Sequence, residues 1–149
     1  NAIGHTEFVL FIMFFKKKIE KQNNNQLIKI AALMIHAGKI DENFSKQEEV
    51  IIKQALLKMG ANTENIQELI EQSKIIEENA NQILDFTKEV KVMGDKKKIE
   101  IIETLWRIIY SNKDADIYET NLMRRLAGLM YIDNKIMGSI QEKIKKEIL

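Results

Sequence analysis

The sequence predicts an all-α fold: a single-domain helical bundle of about seven to eight helices, built from two pseudosymmetric helical-hairpin repeats. Three observations lead to this prediction. There is no proline, and only six glycines interrupt 149 residues, so helical hydrogen-bond ladders can run unbroken. Apolar residues recur at helical spacing, and no stretch shows the alternation typical of strands. The hydrophobic content of 45% is enough for one sizeable core.

The first segment, residues 1–23, combines an apolar run with a basic cluster. We interpret Asn1-Ala2 as the remnant of an expression tag and leave open that the native protein begins upstream. Phe8–Phe15 is uninterrupted apolar sequence, and three lysines at 16–18 follow it. The run is too short to span a bilayer, so we expect it to open a helix that packs on the core. Two alternatives stay open: a membrane-surface anchor formed by residues 8–18, and the tail of a truncated span.

The remaining chain, residues 24–149, is expected to form the helical domain, and its first repeat covers about residues 24–80. Its first helix ends near Gly38, where a polar loop begins. Ser45 precedes the second helix and Glu48 lies three positions on, which is the spacing of a capping box. Asn62 is the candidate N-cap of a third helix that runs to the end of the repeat.

A second copy of this pattern covers about residues 95–149, after a connector helix within 81–94. Apolar positions, the capping box and the third N-cap recur at one constant offset without gaps, which indicates an internal duplication. At this offset, Asp41 corresponds to Asn112, Asn43 to Asp114, Ser45 to Asp116, and Glu48 to Glu119.

Three stretches are hard to obtain from generic helix composition: AALMIHAGKIDENFSKQE in the first copy, LWRIIY at 105–110, and Glu119-x-x-Leu122-x-Arg124-Arg125-Leu126-Ala127. Through them, residues 26–136 resemble the TerB-like tellurite resistance family. The resemblance implies an all-helical protein associated with tellurite resistance and stress response, without known catalytic activity. It also implies metal binding through acidic residues of the two interhelical loops.

The loops depart from the family pattern, in which an Asp-Gly step precedes a glutamate. Asp41-Glu42 and Asn112-Lys113 stand where the family has Asp-Gly. The first acid is therefore kept in one copy only, which weakens any second metal site.

Oxygen-bearing side chains at alternate positions of both loops are donors that hard cations prefer. An EF-hand site is excluded, because its sixth and twelfth positions hold Lys46 and Ile52 in one loop, and Ile117 and Met123 in the other. A shared site for calcium, magnesium or another divalent ion is one hypothesis, and plain helix capping by the same residues is the other. The candidate metal ligands are Asp41, Asn43, Glu48, Asn112, Asp114, Asp116 and Glu119.

The composition also indicates which classes of function to expect. Without cysteine, a Ser-His-acid set or a glycine-rich phosphate loop, we expect no enzyme. A formal net charge of +1 argues against nucleic-acid binding. We therefore expect an unidentified protein partner, with a membrane surface as the second option, and a cytoplasmic location that could include the inner membrane face. Trp106 is expected in the core, and Arg124 or Arg125 in an intramolecular ion pair.

Overall fold

The computed structural model describes residues 2–40, 44–111 and 116–148, and these residues form seven α-helices without a strand. The all-helical class is thereby confirmed. The predicted N-terminal segment and the first helix of the domain are one continuous helix. The helices are α1 (Ala2–Gly38), α2 (Lys46–Lys58), α3 (Ile66–Asn79), α4 (Leu84–Lys91), α5 (Asp95–Tyr110), α6 (Ile117–Leu129) and α7 (Asn134–Ile148).

The bundle is organised around α5 and the C-terminal part of α1. Helix α1 packs against α2, α3, α4 and α5, while α5 also contacts α2 and α7. Helix α6 packs against α4 and α7. Many of the largest fully buried side chains come from the two central helices, which are apolar on most of their circumference. They include Leu33, Met34 and Ile35 on α1, and Ile101, Ile102, Leu105, Ile108 and Ile109 on α5.

The N-terminal part of α1 does not pack on the core, so the expectation for the apolar run was wrong. Residues 4–25 are exposed throughout, and continuous burial begins only at Leu27. No proline or glycine lies between Phe15 and Leu27, so nothing kinks the helix. The helical rise over these twelve residues places the run roughly 18 Å beyond the first buried turn. The apolar run therefore projects from the bundle.

Two of the predicted helix starts are confirmed, and a third is wrong. Ser45 and Asp116 are the N-caps of α2 and α6, each in a complete capping box. Asn62, in contrast, does not cap α3: its Oδ1 accepts a hydrogen bond of 3.1 Å from the backbone N–H of Glu64. This closes a turn that delays the start of α3 to Ile66.

The turns that end α2 and α6 share one geometry, the Schellman motif. Ala61 N–H donates to the Leu56 carbonyl at 2.9 Å, and Ile132 N–H donates to the Ala127 carbonyl at 2.8 Å. The residue before each donor has a positive φ, 105° at Gly60 and 56° at Tyr131. These local features recur at the offset read from the sequence, while the duplication itself remains a prediction.

Candidate functional sites: the capped loops, the apolar helix and a tryptophan groove

The first interhelical loop is anchored by the Ser45–Glu48 capping box. Glu48 N–H donates to Ser45 Oγ at 3.1 Å, and Ser45 N–H donates to Glu48 Oε1 at 3.5 Å. The Glu48 side chain turns inward, because the residue is only 1% exposed. Its Oε2 lies against Gly38 at the end of α1, where a Cβ atom would overlap it. The box thus joins the two helices on either side of the loop.

The second loop ends in the matching Asp116–Glu119 box. Glu119 N–H donates to Asp116 Oδ1 at 2.8 Å, and Asp116 N–H donates to Glu119 Oε1 at 3.3 Å. Glu119 is 7% exposed. A buried glutamate is uncommon unless it is paired, so the burial of both carboxylates distinguishes these loops from ordinary helix starts.

The structure locates three of the seven candidate metal ligands. Glu48, Asp116 and Glu119 all act in capping boxes. Within the described ranges, no group of three or more His, Cys, Asp or Glu side chains could hold a metal ion. The other four candidates, Asp41, Asn43, Asn112 and Asp114, lie outside the described residues.

The apolar run on α1 is the longest consecutive stretch of exposed large hydrophobic residues in the described chain. All eight side chains from Phe8 to Phe15 are at least 36% exposed, and Phe14 reaches 71%. Phe11 and Phe15 stack on each other with ring centroids 6.1 Å apart. Because consecutive residues of a helix point about 100° apart, eight such residues cover every side of it. The run is therefore not an amphipathic stripe that one flat protein face could cover.

Charged residues bracket the apolar run. Glu7 precedes it, and Lys16, Lys17 and Lys18 follow it, all of them exposed. No helix within the described part of the chain is long and apolar enough to cross a membrane.

A groove between α6 and α7 was not anticipated from the sequence. Trp106 of α5 lines it, and it is 3% exposed, in agreement with its expected place in the core. Its indole Nε1 is buried and has no hydrogen-bond partner among the described residues. Arg124 lines the same groove. Neither Arg124 nor Arg125 forms an ion pair with any described residue, contrary to expectation. The sequence signal for this groove was Gly138, a glycine inside a helical pattern.

The fold and these sites define a class of protein: a small helical bundle with capped interhelical loops and an exposed apolar extension. A family model for the tellurite resistance protein TerB matches residues 27–142, and the chain belongs to that family. The resemblance seen in the sequence is thereby confirmed. Comparison with curated proteins and with solved structures gives no significant match. The family match begins where α1 becomes buried, so the exposed apolar run lies outside it.

Proposed function

We propose that this chain is a non-catalytic TerB-family adaptor of the tellurite resistance and stress response, held at the cytoplasmic face of a membrane by the exposed part of α1. The observation that carries the proposal is the apolar run Phe8–Phe15, which is exposed on every side of the helix. An interfacial helix sinks about 5–10 Å into the boundary between headgroups and acyl chains. This depth approaches the diameter of a helix, so a bilayer can cover all sides of a short run.

The energy of this insertion can be estimated from the exposed side chains. Full burial of a large apolar side chain is worth about 1.5–3 kcal/mol. The eight side chains are 36% to 71% exposed. Covering what remains exposed therefore contributes on the order of 6–12 kcal/mol. Association costs about 4–15 kcal/mol, so the apolar run alone gives reversible attachment.

The adjacent lysines add an electrostatic contribution. Lys16, Lys17 and Lys18 are exposed directly after the apolar run, where their ammonium groups reach the headgroup level. Each basic residue near an anionic leaflet contributes about 1 kcal/mol, so the three contribute about 3 kcal/mol. This corresponds to roughly a hundredfold in partitioning. The inner leaflet, which carries the anionic lipids, is therefore the preferred surface.

Flotation of the full chain with phosphatidylserine-containing and with neutral vesicles tests the proposal. We expect binding to both, with stronger binding to the anionic vesicles. The double variant Phe11→Asp/Phe14→Asp should lose binding to both. Val50→Asp/Ile75→Asp is the matched control, because these exposed apolar residues lie on α2 and α3. Absence of binding by the wild type, or equal loss in both variants, would refute membrane attachment through this run.

A divalent-cation site at the two capped loops is a second candidate, favoured by the burial of Glu48 and Glu119 beside these loops. Oxygen donors of this kind suit calcium or magnesium. The described carboxylates do not form a site by themselves, so Asp41, Asn43, Asn112 and Asp114 would have to complete it. An ion shared in this way would connect the two loops to each other.

Thermal unfolding after chelator treatment tests the cation site when calcium, magnesium, manganese and zinc are added back in turn. A ligand at a hundred times its dissociation constant stabilises the folded state by about 2.7 kcal/mol. For a chain of this length, this raises the midpoint by roughly 5–10 °C. Asp41→Ala/Asp114→Ala should lose the rise, while the exposed pair Asp85→Ala/Glu142→Ala should keep it. If no cation raises the unfolding midpoint, the residues of these loops act only as helix caps.

A further inference from the structure

The groove between α6 and α7 has the size and lining of a small-ligand site. Its volume is about 380 Å³, which lies within the usual range for ligand pockets. Met123 and Met137 provide apolar walls, Trp106 belongs to the buried part, and Arg124 contributes the charge. Methionine side chains have three rotatable bonds, so these walls can adapt to an occupant.

Trp106, which lines the groove, carries a buried indole N–H donor. Trp106 is only 3% exposed, and its Nε1 finds no hydrogen-bond partner within the part of the chain that the structure describes. A buried donor without a partner costs about 1–3 kcal/mol. The neighbouring polar side chains do not relieve it: Gln141 donates its amide N–H to Tyr110 Oη at 2.9 Å, and the Thr120 hydroxyl donates to the Asp116 carbonyl at 2.9 Å. An acceptor supplied by a ligand would satisfy the indole.

Gly138 lines the groove without a side chain of its own. It lies inside α7, where glycine costs about 1 kcal/mol relative to alanine. No heavy atom within 4 Å would meet a Cβ at this position, so packing within the chain does not require the glycine. Because Gly138 is one of the residues that line the groove, we expect a large side chain at this position to enter it.

The charge of the groove selects an anion. Arg124 is exposed and forms no ion pair with the described residues, and none of the residues that line the groove is acidic. A guanidinium binds a carboxylate through two parallel N–H donors. A cation would find no counter-charge here, and a neutral acceptor would satisfy only the indole.

We propose that this groove binds a carboxylate carried on a short apolar stem. The carboxylate accepts hydrogen bonds from the Arg124 guanidinium and the Trp106 indole, and the stem packs between Met123 and Met137. Two sources present this chemistry: the C-terminus of a peptide that ends in an apolar residue, and a free organic acid. Binding here is independent of membrane attachment, because α6 and α7 are separate from the exposed part of α1.

The single tryptophan of the chain gives a direct readout, because the ¹⁵N-labelled protein has one indole N–H cross-peak. We expect N-acetylleucine, a mimic of a peptide C-terminus, to move this cross-peak downfield at millimolar concentrations. N-acetylleucinamide, which has the same stem without the charge, should leave it in place. If hexanoate moves the cross-peak and N-acetylleucine does not, the site is still a carboxylate site, and its ligand is a free organic acid.

Variants test the role of each part. Arg124→Gln should weaken binding about tenfold or more, because a charge-assisted hydrogen bond is lost. Gly138→Leu should abolish binding by filling the groove. Gly128→Leu is the matched control, because Gly128 also has open space around its Cβ position but does not line the groove.

Three results would overturn the proposal: no response to either carboxylate, an equal response to N-acetylleucinamide, or equal binding by the Gly138→Leu and Gly128→Leu variants. Trp106→Phe keeps the ring packing but removes the donor. In this variant, calorimetry should show weaker binding of whichever carboxylate moves the wild-type cross-peak. Unchanged affinity would be a fourth result against the proposal, because it would exclude the indole as a donor.

Discussion

Replacement of Gly38 by alanine tests how tightly the first loop is fixed. A Cβ at Gly38 would overlap Glu48 Oε2 and lie 3.0 Å from Cδ2 of Phe44. Glu48 is 1% exposed, so its carboxylate has little room to move within the bundle. The added methyl group must therefore push this carboxylate away from its position in the capping box.

The cost follows from the bonds that would be lost. Glu48 Oε1 accepts from Ser45 N–H at 3.5 Å and from the Ser45 hydroxyl at 3.1 Å. Loss of one such bond costs about 1 kcal/mol, and poor pairing of the buried carboxylate adds about 1–3 kcal/mol. The higher helix propensity of alanine offsets up to about 1 kcal/mol of this loss in stability. We expect Gly38→Ala to destabilise the chain by about 2–3 kcal/mol, or roughly 5–10 °C in the unfolding midpoint.

Urea and thermal unfolding followed by circular dichroism measure this change. Gly128→Ala is the control, because Gly128 also lies near the end of its helix and nothing stands within 4 Å of its Cβ position. It should be neutral or stabilising. The double variant Gly38→Ala/Glu48→Ala should be less destabilised than the sum of the two single variants, since the overlap disappears with the carboxylate. A Gly38→Ala variant as stable as wild type, or strict additivity, would refute this account of the contact.

Further expectations concern the helix ends. Gly60→Ala should lower stability by about 1 kcal/mol because φ is positive there, whereas Tyr131→Gly should not lower it, since glycine relieves the same conformation; urea unfolding distinguishes the two. Lys91 Nζ lies 4.4 Å from the Tyr131 ring centroid, and this ammonium group, as a donor available to the phenolate and as a nearby positive charge, lowers the pKa of Tyr131. Lys91→Gln should therefore raise that pKa in an ultraviolet difference titration, and an unchanged titration would contradict the contact. Ser45→Ala and Asp116→Ala should each cost about 0.5–2 kcal/mol in thermal unfolding, while a cost near zero would argue against the boxes.

The sequence was sufficient for features that depend on local spacing. A cap residue and a glutamate three positions apart fix their own hydrogen bonds, so both boxes followed from Ser45–Glu48 and Asp116–Glu119. Asn62 was misjudged, because an asparagine closes a turn as readily as it caps a helix. The choice between these roles depends on where α3 packs.

Features that depend on how the helices pack together could not be predicted from the sequence. A continuous apolar run has no preferred side, so its periodicity cannot show whether it is buried or exposed. The groove at Trp106 depends on the separation of α6 and α7, which no sequence spacing encodes. The inward turn of Glu48 likewise depends on the close approach of Gly38.

Because α1 is continuous, it also fixes the orientation of the bundle relative to the apolar run. Residues 16–26 join the apolar run to the first buried turn as unbroken helix, without a flexible linker. Each residue of this connection adds about 1.5 Å of length and about 100° of rotation. A single residue inserted there would turn the whole bundle by more than a quarter of a circle relative to the apolar run. The length of this polar segment therefore sets both the height and the rotational setting at which the groove and the capped loops face their surroundings.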